Sequence, residues 1–302
     1  MDIPANSIGS AVPRAYFDAV VHSVFESALN IKPKGEDLLL TVFLSADGHL
    51  PQGIRLDPAS GFRPSTLVLL SRVTCREGIL RFQGDMPAID MREAKRWECD
   101  LSSLRPRMNH APVESGWRCA WEALNERQLH EAPGLVAVDL GGESAAKQAA
   151  WAQRMSKSMR SLFHATRGCD ANAASMLEPL IGLGPGLTPS GDDLITGYLT
   201  GLWCTSKGKA ERLSFLLGLG KAVVELSKRT NDISRTYLFH ATRGLASSQL
   251  VNLAVAICTG AGDDRVMQYA SSAMQSGHTS GMDAVTGLLF GLAAWDGANL
   301  LS

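Results

Sequence analysis

The segment SGDDLITGYLTGL, from Ser190, is matched without a gap by SGMDAVTGLLFGL, from Ser280. The two share Ser, Gly, Asp, Thr, Gly, Leu, Gly and Leu at corresponding places. If both are helices, Asp193, Gly197 and Gly201 recur every fourth residue, as do Asp283, Gly287 and Gly291, so each helix has one bare face headed by an acid. Glycine inside a helix costs about 1 kcal/mol relative to alanine, so close packing or ligand access has to offset four of them. Small-residue faces permit such an approach. The pattern predicts two helices crossing glycine face to glycine face about a pseudo-twofold axis, with their N-termini converging on one site.

A second echo, LFHATRG, occurs at Leu162 to Gly168 and again at Leu238 to Gly244, in the same order but with a different spacer. Together they point to a duplicated helical unit. The flanking segments GWRCAWEALNERQLH, SAAKQAAWAQRMSKSMRSLFHATR, AERLSFLLGLGKAVVELSKR, DISRTYLFHATR, SQLVNLAVAIC and DRVMQYASSAMQS are rich in good helix formers. Ahead of them, DLLLTVFLS, LPQGIRL, STLVLLSRVTC and GILRFQG are short β-branched or aromatic runs separated by turn residues. PRAYFDAVVHSVFESALNI reads equally as helix or strand. RPRMNHAPVES, residues 105 to 115, lacks any periodic apolar pattern and reads as a linker. The expected class is α+β: a β-rich domain, barrel- or sandwich-like, over residues 1–110, then a mostly helical domain over 111–302 with an internal duplication.

With 302 residues, 29 basic and 30 acidic, the chain is large enough for a sizeable core and offers no electrostatic footprint for nucleic acid. The beginning MDIPANSIGS lacks a secretory pattern, and no apolar run approaches the roughly 20 residues of a membrane span. Six cysteines, with no CxxC pair and no zinc spacing, read as reduced thiols. A soluble cytoplasmic protein is expected.

The start of the first repeat, GLGPGLTPSGDD at residues 182 to 193, carries the candidate chemistry. In both copies the serine (Ser190, Ser280) stands where an N-cap belongs and an aspartate (Asp193, Asp283) follows three residues on, approximating a capping box. Capping does not account for the upstream glycines, for Thr188 or for Asp192. Glycines let backbone N–H groups line an anion pocket at a helix start, which makes Gly184, Pro185, Gly186, Thr188, Ser190 and Gly191 candidate substrate- or anion-binding residues, with Thr279 and Ser280 from the second copy. No lysine follows, so this is not a nucleotide P-loop; no strand precedes it, so it is not a Rossmann loop.

Asp192 and Asp193 either hold Mg2+, hold a cationic or amide group, or turn away into caps; neighbouring helical residues point about 100 degrees apart, so the pair alone assigns no metal. No other cofactor is implied. His278, in the second cap loop, joins Asp192 and Asp193 as a catalytic candidate, against the plain reading of an exposed loop histidine. Asn231, in KRTNDISRT with Thr230 and Ser234, reads as a helix cap and as a ligand-binding candidate. His22, Ser23, Gly53 and Arg55 read as turn and edge residues, and His164 and His240 as surface or packing residues.

GLGPGLTPSGDDLITGYLTGL and GHTSGMDAVTGLLFGL, with HSVF, PQGIRL and TNDIS, together resemble the AllH-like family over nearly the whole chain. The resemblance implies a subunit of oxamate carbamoyltransferase, working with FdrA-type and AllG-type partners in allantoin breakdown on small carboxylate and phosphate ligands. It implies carbamoyl transfer between oxamate and carbamoyl phosphate, running catabolically from oxalurate and phosphate. It assigns no role to any single residue. Transcarbamylases with a Ser-x-Arg-Thr phosphate loop differ, since here Ser234, Arg235 and Thr236 are contiguous. The alternative is a non-catalytic assembly or small-molecule-binding subunit of a catabolic complex.

Overall fold

The computed structural model describes residues 2–131, 137, 150–277, 279–297 and 300. The chain divides into two compact units, Met1–Cys99 and Asp100–Ser302.

The first unit is one ten-stranded mixed sheet curved as a half-barrel, in the order β1-β9-β8-β7-β3-β4-β5-β6-β2-β10. Its strands are β1 (Ile3–Pro4), β2 (Ser7–Gly9), β3 (Phe17–Val24), β4 (Ala28–Pro33), β5 (Leu40–Leu44), β6 (Gly53–Leu56), β7 (Arg72–Arg76), β8 (Ile79–Phe82), β9 (Ile89–Asp90) and β10 (Lys95–Trp97). The ambiguous segment after Pro13 is thus a pair of antiparallel strands, β3 and β4. Alternation sets its faces: Ala19 and Val21 of β3 and Val73 and Cys75 of β7 point into the core, while their neighbours face outward. Val42 of β5 pairs with Ile54 of β6, and Ile54 with Ile8 of β2, laying a buried aliphatic row across the sheet. Glu77 and Gly78, both at positive φ, form the two-residue turn that joins β7 to β8.

The second unit is helical. Its described helices are α1 (Ala111–Glu131), α2 (Ala150–Arg167), α3 (Ser190–Ser206), α4 (Ala210–Leu226), α5 (Asp232–Ala241), α6 (Ser248–Thr259), α7 (Asp263–Met274) and α8 (Ser280–Ala293). The segment read as a linker is only partly one, because α1 already begins at Ala111. Among the described residues no helix is long and apolar enough to cross a membrane.

Helices α3 and α8, the two repeated segments, are buried on nearly all sides, as expected of central helices. They cross on their glycine faces. A Cβ on Gly197 would stand 1.9 Å from the Ala284 carbonyl oxygen, and one on Gly287 would stand 2.0 Å from that of Leu194. Farther along, Gly201 faces the Leu288 carbonyl and Gly291 the Tyr198 carbonyl, at 2.5 and 2.3 Å for the same hypothetical atom. These contacts exchange when the two repeats are exchanged, which is the pseudo-twofold relation expected from the sequence.

The other helices are fastened to this pair. Trp117 of α1 donates its indole N–H to the Leu289 carbonyl at 2.9 Å and stacks on Trp121, which meets Phe290. Tyr198 donates its hydroxyl to Thr166 of α2 at 2.7 Å, and Trp295 donates to the Thr166 carbonyl. The two LFHATRG echoes close α2 and α5. After the first the chain makes a short 3-10 turn, Ala171–Met176, and the glycine-rich loop; after the second it makes α6 and α7. That difference accounts for the unequal spacers. His164 is exposed, whereas His240 is buried, so the copies have diverged in environment.

Candidate functional site

The capping-box reading of the repeated serines is corrected by the structure. The residues at the N-cap positions are Pro189 and Thr279, neither with a side-chain cap, and Ser190 and Ser280 are the first helical residues. Their hydroxyls serve the opposite helix: Ser280 and Thr188 face the Asp193 carboxyl, and Ser190 and Thr279 face that of Asp283. Thr188 Oγ1 and Ser280 Oγ lie 2.7 Å apart and share a hydrogen bond that links the two starts directly. The glycines that follow, Gly191 and Gly281, let each start press onto the preceding segment. A Cβ there would meet the carbonyl oxygens of Leu180 and Ala273 at 2.0 and 2.4 Å.

Both N-termini therefore converge on one polar centre formed by Thr188, Ser190, Asp193, Thr279, Ser280 and Asp283. Their aligned peptide dipoles bring the positive ends of two helices together. Asp283 is only 3% exposed, and Ser190 is equally enclosed; Asp193, Thr188, Thr279 and Ser280 are half-buried. Oδ2 of Asp193 and Oδ2 of Asp283 are buried without a hydrogen-bond partner. Most buried polar atoms are paired, so two orphaned oxygens at one crossing call for an explanation.

Burial pushes the Asp193 carboxyl well above the usual carboxylate range, opposed by the hydroxyls of Ser280 and Thr188 and reinforced by the charges of Asp283 and Asp192. Burial likewise lifts Asp283 to about 7, against the pull of Ser190 and Thr279. Burial thus favours the protonated form of both, and a protonated carboxyl offers a hydroxyl donor as well as a carbonyl acceptor.

Asp192 sits apart from this pair in its contacts. Its Oδ1 accepts the Gly182 amide at 2.8 Å and its Oδ2 accepts the Thr230 hydroxyl at 2.5 Å. It ties the glycine-rich loop and the entry to α5 onto the first turn of α3. Asn231 is the N-cap of α5, accepting the Ser234 amide at 3.0 Å, and its side-chain amide donates to the Leu187 carbonyl. Thus Asn231 holds the loop from outside. Gly182, Gly184 and Gly186 all have positive φ, and the Cβ that Gly184 lacks would press on Ser190 at 3.0 Å. Pro185 and Gly186 are exposed, and the Gly191 amide donates to the Leu183 carbonyl. His278 lies outside the described residues. Among the described residues no group of three His, Cys, Asp or Glu side chains is placed to hold a metal ion.

One neighbour escaped the sequence reading. Tyr237 of α5 lies beside the crossing, its hydroxyl pushed up to about 12 by burial and then by the Asp193 charge. Nothing in its spacing marks it. The contact that sets α5 against the loop, Asn231 with the Leu187 carbonyl, is tertiary and has no signature in the sequence.

Fold and site together define an α+β protein whose helical unit brings two repeated helix starts to a single polar centre. Residues 180–292, which include that centre, match the family model described as oxamate carbamoyltransferase subunit AllH, and residues 5–96 match the AllH family N-terminal domain. The chain belongs to the AllH family, a family of subunits and hence of a multi-subunit carbamoyltransferase. No solved structure matches it.

Proposed function

We propose that this chain supplies the ligand-binding centre of an oxamate carbamoyltransferase that works with FdrA-type and AllG-type subunits in allantoin breakdown. The observation that best supports this reading is the convergence of the α3 and α8 starts on the Thr188–Ser280 hydroxyl pair. In the catabolic direction, an oxygen of hydrogen phosphate attacks the carbamoyl carbon of oxalurate. The C–N bond then breaks, the phosphate proton passes to the departing nitrogen, and carbamoyl phosphate and oxamate are formed. Negative charge builds on the carbamoyl oxygen in the tetrahedral transition state. Hydroxyl donors and helix N-termini aimed at that oxygen from a partly desolvated site stabilise it. The glycine-rich loop, pinned by Asp192 and Asn231, forms one wall and keeps Thr188 in place.

Mixing the chain with its partner subunits tests the reading. Phosphate-dependent disappearance of oxalurate, with carbamoyl phosphate formed in step, is the expected result. No phosphate dependence in any combination would refute it. A second reading, an assembly subunit without catalysis, draws support from Leu187, which stands 67% exposed at the tip of the loop. On that reading Leu187→Ser abolishes co-purification with the partners, and no small ligand raises the melting temperature of the chain.

A further inference from the structure

The orphaned oxygens specify more than a generic anion site. Oδ2 of Asp193 and Oδ2 of Asp283 are related by the pseudo-twofold of the crossing, and each carboxyl is flanked by one hydroxyl from its own helix start and one from the other. The neighbouring Asp192 differs: both of its carboxyl oxygens accept hydrogen bonds. The unmet hydrogen-bonding capacity of the crossing is therefore concentrated on Asp193 and Asp283. Leaving a buried polar atom unpaired is costly, so a ligand that pairs it is favoured over one that does not.

We propose that Asp193 and Asp283 are specificity-determining residues that receive the N–H groups of a primary amide or ureido ligand, so that the crossing selects a carbamoyl-type group over a carboxylate of the same shape. The inference rests on the carbamoyltransferase reading and adds to it the part of the ligand that is read here. A neutral carboxyl presents O–H and C=O side by side, and a primary amide presents C=O and N–H; the two join through a pair of hydrogen bonds. A carboxylate ligand offers acceptors only. It can satisfy an acid proton but leaves the carboxyl acceptor unpaired, and it meets like charge whenever either aspartate ionises. Thr188 and Ser280, one on each helix start, are placed to meet the ligand's other polar atoms.

Oxamate and oxalate are the decisive probes, because they differ only in an amide NH2 replaced by a carboxylate oxygen. Calorimetric titration of the full chain is expected to show oxamate binding at least ~100-fold more tightly than oxalate, the scale of rejection expected where a built hydrogen-bond partner is missing. Asp283→Leu is expected to weaken oxamate by more than ~10-fold, and Asp283→Asn, which restores a donor and an acceptor side by side, to recover most of that loss. Oxalate binding as tightly as oxamate would overturn the proposal, as would no oxamate binding to the unaltered chain, or an asparagine variant as impaired as the leucine one. The wild-type comparison stands even where the leucine variant does not fold. Phosphate-dependent oxalurate cleavage accompanied by equal oxamate and oxalate affinities would remove the amide assignment and leave the carbamoyltransferase reading in place.

Discussion

Asp283 illustrates how a short motif acquires its chemistry from a tertiary contact. In the sequence its spacing from Ser280 suggests a local cap; in the fold its hydroxyl partners, Ser190 and Thr279, include one from the other repeat, a pairing that no local spacing reveals. The same enclosure that orphans its Oδ2 raises its proton affinity, with a definite sign for stability. The folded state holds the Asp283 proton up to about pH 7, whereas an unfolded aspartate releases it near its ordinary 3.8, so this group's contribution is lost as pH rises through that window. Buried His240 acts oppositely. Burial, and then the charge of Arg243, lower it to about 4, so it favours the folded state increasingly as pH rises from there towards 6.5. Asp283→Asn removes the first effect only. Denaturant unfolding between about pH 4.5 and 6.5 should therefore show variant stability rising relative to wild type by about 1.4 kcal/mol per pH unit. Parallel curves would mean that Asp283 titrates normally in the folded protein.

At the scale of elements, the glycine spacing was legible because it follows from helix geometry alone: residues four apart share a face, and a bare face admits another backbone. The convergence of the two helix starts follows from the same repeat. The segment that becomes β3 and β4 was not legible, since its apolar residues fit either period and the decision is made by pairing with β5 and β7. Tyr237 was hidden for a similar reason: its importance comes from where Asn231 and the loop place α5. Substitution can separate packing glycines from tolerated ones. Gly197→Ala drives a Cβ into the Ala284 carbonyl, so a loss of about 3 kcal/mol or more is expected in chemical denaturation. Gly218→Ala, on exposed α4 surface with nothing within 4 Å, should instead gain about 1 kcal/mol. Equal effects at the two positions would contradict a glycine-to-glycine crossing.

For the whole molecule, the matched family regions cover parts of both compact units, with the polar centre contained entirely in the helical one. The sequence resemblance anticipated the family, and the structure adds which polar residues, far apart in the chain and equivalent by internal repetition, the fold brings together. Thr188 and Ser280, 92 residues apart, are the closest expression of that arrangement. The direct measurement is kcat for phosphate-dependent oxalurate cleavage by the assembled subunits, comparing wild type with the Thr188→Val, Ser280→Ala double variant. Loss of donors aimed at the developing oxyanion predicts a fall of about 100-fold or more, with partner binding retained and the melting temperature lowered only by the loss of these hydrogen bonds. A double variant that assembles, melts and turns over like wild type would contradict the assignment of the helix crossing as the reacting centre.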